Sequence, residues 1–270
     1  MRYLSRQSGF TLVELVVVIV VLGAISAGTA VYIVRSMEAY SDTVRRDQLT
    51  STARVAVEKI TRELRNALPN SVRTYNNDQC IQYIPVNRGS SYQNIPLTAA
   101  NISFSAIENH SPDNPIYVVV YPYDRDQLYI EPTTSPGSIV EFDNYDPSTG
   151  TVTLGQNYRF SHGSPRKRFY FTATPVSYCV TNSQKLMRYN NNLTGNLNQQ
   201  PLPPEPLPPG SNWSRVADNI QLTDGGNTVF PFAYTEGTLQ RNAVVTLDFR
   251  FMEDSEWVRL LHEVQIRNVP

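Results

Sequence analysis

The 270-residue chain carries 23 Lys and Arg against 24 Asp and Glu, a formal net charge of −1, and 40% of its residues are hydrophobic. That length suffices for one large domain or two modest ones with a sizeable core. Near-neutrality excludes a nucleic-acid partner held by electrostatics. The basic run "PRKRFY" at 165–170 is too short to change this and reads as a solvated turn leading into a strand.

The N-terminus divides sharply. Residues 1–9, "MRYLSRQSG", are polar with two arginines, whereas from Phe10 to Val34 the only charge is Glu14. Twenty-five helical residues span roughly 37 Å, enough for a hydrocarbon core of about 30 Å. Gly23 and Gly28 fall inside the run without ending it, since membrane helices tolerate glycine. Apolar residues then recur at three- and four-residue steps: Leu49, Ala53, Ala56, Val57, Ile60, Leu64, Ala67 and Leu68. Glu58 with Arg62, and Lys59 with Glu63, have favourable i,i+4 spacing on the other face. No proline precedes Pro69, so one helix is expected from about Phe10 to Ala67, with a break between 35 and 43 left open.

After Pro69 the period changes to two. "IQYIPV" (81–86), "PIYVVVYPY" (115–123), "GSIVEF" (137–142), "GTVTLG" (150–155) and 167–190 read as strands between turn residues. "SYCV-TNSQ-KLMRY" has the form of a hairpin with a four-residue loop. "VVTLDFRF" and "LLHEVQIRNV" alternate as a final antiparallel pair, with Val245, Leu247, Phe249 and Phe251 on one face, and Leu260, His262, Val264 and Ile266 on one face. The expected class is α+β. The segment 190–212, with its prolines within 199–210, reads as an exposed Pro-rich loop.

Cys80 and Cys179 are the only cysteines. In an oxidising compartment they could close one long-loop disulfide, and two unrelated buried thiols are the alternative. His110, His162 and His262 lack metal-ligand spacing, and no GxSxG, HExxH or phosphate-loop pattern occurs, so neither metal, cofactor nor catalysis is expected. "DNYDPSTG" (143–150) has closely spaced oxygens, but reads as an Asx/Pro/Gly turn before a calcium site.

Glu14 discriminates between readings of the N-terminus. A secretory signal cut near Ala30 and a generic single-span anchor both leave a carboxylate in an apolar segment unexplained. "SG-FTLVE" followed by an unbroken apolar stretch resembles the prepilin signal of type IV pilins and type II secretion pseudopilins. The resemblance implies cleavage between Gly9 and Phe10 by a membrane-embedded prepilin peptidase, N-methylation of Phe10, and retention of the apolar helix. It also implies that Glu14 neutralises the Phe10 amine of a neighbouring subunit during assembly. The expected layout is a leader (1–9), a transmembrane and filament-core helix (10–34), an amphipathic continuation (35–68) and a β-rich head (69–270), together a lollipop-shaped type IV pilin fold.

"RRDQLTSTARVAVEKITRELRNALPNSVR" (45–73), the "VSYCVTNSQKLMRY" hairpin and the closing "LLHEVQIRNVP" are similar to MshO-type minor pilins of the mannose-sensitive haemagglutinin (MSHA) pilus. The same layout resembles J-type minor pseudopilins and W-type minor pilins. The family implies a non-enzymatic subunit that primes or caps a pilus. Alternatives are a pseudopilin of a secretion system and a tip adhesin. The implied partners are the prepilin peptidase, major and other minor pilins, and the assembly machinery of the bacterial inner membrane, with the head periplasmic and later at the cell surface.

Overall fold

The computed structural model describes residues 9–107, 113–190, 212–238, 241–254 and 256–267, so the Pro-rich segment from 191 to 211 and His110 lie outside the described residues. The chain divides into two compact units, one up to Gln48 and one from Leu49. Helix α1 (Leu12–Arg65) runs unbroken, including residues 35–43. Its expected start at Phe10 moves to Leu12 and its end to Arg65. Asn66 and Ala67 donate to the carbonyls of Glu63 and Leu64, a tightening that ends the helix before Pro69.

Strands β1 (Arg73–Tyr75), β2 (Cys80–Tyr83), β3 (Val86–Asn94), β4 (Asn101–Ala106), β5 (Tyr117–Val120), β6 (Ile139–Asp146), β7 (Thr151–Tyr158) and β8 (Arg168–Thr172) follow. Then come β9 (Val176–Val180), β10 (Leu186–Asn190), β11 (Trp213–Ala217), a short β12–β13 ribbon (Thr223–Asp224 with Asn227–Thr228), β14 (Phe232–Thr235), β15 (Ala243–Glu253) and β16 (Glu256–Ile266). They form a five-stranded sheet β1-β2-β9-β10-β11, a three-stranded sheet β14-β15-β16, and a closed barrel β3-β4-β7-β6-β5-β8. Every ladder among these strands is antiparallel.

The helical stripe from Leu49 to Leu64 packs on both open sheets in one core. Ala53, Ala56, Ile60 and Leu64 meet Tyr83, Tyr178, Val245, Leu247, Phe249 and Phe251, all fully or almost fully buried. Alanine at the centre of the stripe lets the helix approach the sheet closely while Ile60 and Leu64 fill the space beside it. The expected final antiparallel pair is present, and its register brings the two named faces together: Val245 opposes Val264, Leu247 opposes His262 and Phe249 opposes Leu260.

The expected strand 81–86 is instead two. Pro85 has no N–H to donate, and the strands on its two sides join different sheets, β2 the five-stranded one and β3 the barrel. Ile84 and Pro85 pair with the helix exit, where Leu68 donates to the Ile84 carbonyl at 2.8 Å. The expected strand 115–123 shortens to β5, bounded by Pro115 and by Tyr121, whose φ is +47°. The β9–β10 hairpin loop spans residues 181–185, one residue longer than expected.

The whole barrel is inserted between β2 and β9, which are hydrogen-bonded neighbours. Its interior is aromatic: Phe169 packs edge-on against Phe104 at 5.1 Å and Phe171 at 5.0 Å between ring centres. Strand β5 explains the continuous run "YVVV". Val118 and Val120 fill the barrel, while Tyr117 and Val119 face a second cluster with Leu68, Ile84 and Tyr129 that joins barrel to helix exit. At the root of the insertion Cys80 and Cys179 lie directly opposite each other and are joined by a disulfide, beside Tyr75, Met187 and Trp213.

One polar lock joins helix to sheet. Glu63 accepts from Tyr83 Oη at 2.5 Å and from Arg188 Nε at 3.0 Å. Burial pushes the Glu63 carboxyl up, but the bonds from Tyr83 and Arg188 outweigh it and hold its pKa below the usual carboxylate value. A carboxyl depressed in the folded state stabilises the fold above its unfolded pKa, near 4.5, and that contribution is lost as pH falls through the lower folded value. Glu63→Gln is therefore expected to lower the thermal midpoint at pH 7. The gap from wild type should close in a pH series run from about 5 downward. The equally helical but exposed Glu58→Gln should change the midpoint little.

Candidate assembly site

Residues 9–11 precede the helix without regular secondary structure and are exposed, and α1 begins directly after Thr11. Thr11 caps it: the Glu14 backbone N–H donates to Thr11 Oγ1 at 3.3 Å, and Leu15 N–H donates to the Thr11 carbonyl at 3.2 Å. Thr11 and Glu14 thus have capping-box spacing, a signal present in "FTLVE" that the reading of Glu14 as a membrane charge overlooks. Only the threonine half of the box is formed. The Glu14 carboxylate makes no bond among the described residues, so it stands in the first turn as an uncompensated acceptor.

What surrounds it is apolar. The described chain has one helix long and apolar enough to cross a membrane, α1, and none of its apolar window is buried within the protein. Phe10 and Leu12 are 83% and 79% exposed, and valine, leucine and isoleucine surround the helix on all sides as far as Val34. An apolar surface of this extent requires lipid or other apolar helices around it. Thr29, within it, bonds to its own helix: its Oγ1 donates to the Ile25 and Ser26 carbonyls, each at 3.0 Å. Glu14 is the one charged residue in it. A buried carboxylate is tolerable chiefly when it is paired.

The other chemistry-bearing residues do not converge. His162 packs edge-on against Tyr123, and His262 sits in the β15–β16 ladder. In "DNYDPSTG" strand β6 continues to Asp146, so the expected turn over 143–150 is confined to 147–150. Asp146 Oδ1 accepts from Ser148 N–H at 2.8 Å, and Oδ2 accepts from Thr149 Oγ1 at 2.9 Å. Gly150 closes this turn at φ +67°, where a Cβ would meet the Ala106 carbonyl oxygen at 2.7 Å. No cluster of three or more His, Cys, Asp or Glu able to hold a metal occurs among the described residues.

Residues 4–30 match the family model of the prokaryotic N-terminal methylation motif. The match spans Gly9, Phe10, Thr11 and Glu14 and ends within the apolar helix. The chain carries a prepilin-like signal, the mark of the pilin and pseudopilin families, whose members are structural rather than enzymatic. Signal and helix together support anchoring in a membrane. No curated protein and no solved structure matches the chain.

Proposed function

We propose that this chain is a minor pilin of an MSHA-like type IV pilus, acting in pilus biogenesis by priming or capping the filament. The observation that carries the reading is the free Glu14 carboxylate in the first turn of an apolar helix, inside a matched methylation motif. Residues 1–9 are the leader, 10–34 the membrane and filament-core segment, 35–68 the amphipathic continuation and 69–270 the head. Prepilin peptidase cuts between Gly9 and Phe10 and the new Phe10 amine is methylated. In the membrane each subunit then carries one buried acid and one terminal cation. Docking pairs the acid of one with the cation of the next, a head-to-tail contact that does not close on itself and so builds a filament. The similarity of residues 45–73 and of the closing strands to MshO-type minor pilins supports the assignment to this pilus.

Intact-protein mass spectrometry tests the processing step. The mature chain is expected to begin at N-methyl-Phe10, without the nine residues that precede it. A mature species starting near Val31 would overturn the reading.

A further inference from the structure

The outer edge of β16 is a long open strand. The sheet order β14-β15-β16 places this 11-residue strand at the end, and no described strand pairs with its far side. Several of the usual protections of an edge are missing: the β15–β16 register runs from Ala243–Ile266 to Glu253–Glu256 without a bulge, and "EWVRLLHEVQI" contains neither proline nor lysine, its charges being Glu256, Arg259 and Glu263. Its solvent face instead presents Trp257, 64% exposed, and Leu261, 59% exposed. Trp257 also lines a cleft of about 450 Å³ with Met252 and Arg250.

The backbone direction follows from the turn. Glu253 and Glu256 close a two-residue hairpin loop whose first residue, Asp254, has φ +52°. In such a hairpin the closing pair is hydrogen-bonded, so even-numbered β16 residues turn their N–H and C=O toward β15. The odd-numbered residues from 257 to 265 turn theirs outward, to the open edge.

We infer that this edge pairs antiparallel with β16 of a second copy of the chain. The register with full overlap sets residue 256 opposite 266 and places Leu261 on the two-fold axis. On the solvent face it then opposes Arg259 with Glu263, twice by symmetry, Leu261 with Leu261, and Trp257 with Gln265. A slip of one residue toward or away from the axis would lose these pairings. The charges are available for the purpose. Arg259 donates Nε and Nη2 to Asp248, each at 2.8 Å, which leaves Nη1 for a second carboxylate. Glu263 is exposed and makes no bond among the described residues. The pair is isologous, each copy giving the same patch. It does not depend on the pilin role proposed above.

Cross-linking of the full chain in detergent micelles tests it. The native cysteines are consumed in their disulfide, so Leu261→Cys adds one thiol, and on the axis the two copies approach at a separation a disulfide can bridge. Mild oxidation is expected to give a species of twice the chain mass for Leu261→Cys. Ile102→Cys, an exposed position on the barrel, should remain single. Adding Glu263→Lys to Leu261→Cys opposes like charges twice and should weaken association about tenfold. A further Arg259→Glu on the same chain restores opposite charges and should restore the yield. The mobility shift of the native disulfide on reduction reports that each variant is folded. A Leu261→Cys yield no higher than that of Ile102→Cys would overturn the pairing. So would a yield indifferent to charge reversal, or a cross-link only to a different chain.

Discussion

Glu14→Ala is expected to yield a processed, membrane-held protein that does not enter filaments. In lipid, removing the carboxylate relieves an insertion cost of about 3 kcal/mol, so the monomer should not be depleted. The helix start is untouched as well, because Thr11 caps through the backbone N–H of residue 14, which alanine retains. In the filament the loss is different. On the proposed pairing, the neighbouring Phe10 amine would keep its charge in an apolar bundle without a partner, and breaking a buried pair in this way costs about 3–5 kcal/mol. A hundredfold or greater fall in incorporation follows at 1.4 kcal/mol per factor of ten. Immunoblots of sheared filaments against total membranes measure it. Thr11→Ala provides the contrast, since it removes the cap, worth about 1 kcal/mol, but keeps the acid. Wild-type incorporation of Glu14→Ala would refute the role assigned to this carboxylate.

The second large effect is at the root of the barrel. Cys80 and Cys179 are separated by 99 positions, and the loop they close contains every strand of the barrel. Without the cross-link, the unfolded chain regains the freedom of that loop, an entropy equivalent to about 4–5 kcal/mol on the chain-entropy account. Two further groups lose support: Tyr75 Oη, which lies 3.3 Å from Cys179 Sγ, and the apolar cluster of Met187 and Trp213 around the bridge. Cys80→Ser/Cys179→Ser is therefore expected to lower the thermal midpoint of the full chain in detergent by about 10 °C. The wild type under reducing agent should fall by a similar amount, and the double variant should be insensitive to it. Equal midpoints for the wild type with and without reductant would show that the bridge adds nothing to the stability of the head.

Some of this was fully legible in the residues. The helix from Leu12 to Arg65 follows from two local signals, an apolar run too long for a soluble helix and then a clean 3.6-residue stripe, and both are read within the helix itself. The final β15–β16 pair is likewise local, because a two-residue turn fixes its register. The motif around Glu14 is contiguous, which is why the prepilin-like signal could be recognised from "SGFTLVE" alone.

The barrel was not legible. Its strands alternate as strands do, but closure depends on β3 leaving the sheet of β2 at Pro85 and pairing with β8, some eighty residues further along the chain. No local pattern encodes that choice. Nor does periodicity reveal that Glu63 would meet Arg188 rather than its helical neighbour Lys59, since only the packing of α1 on β10 brings the two together. Sequence by itself determined what is written in consecutive residues: the apolar helix, its charge and the alternation of the final strand pair. Tertiary structure alone decided which distant strands became neighbours, because hydrogen-bond partners in a sheet are set by the burial of whole faces and not by any single segment.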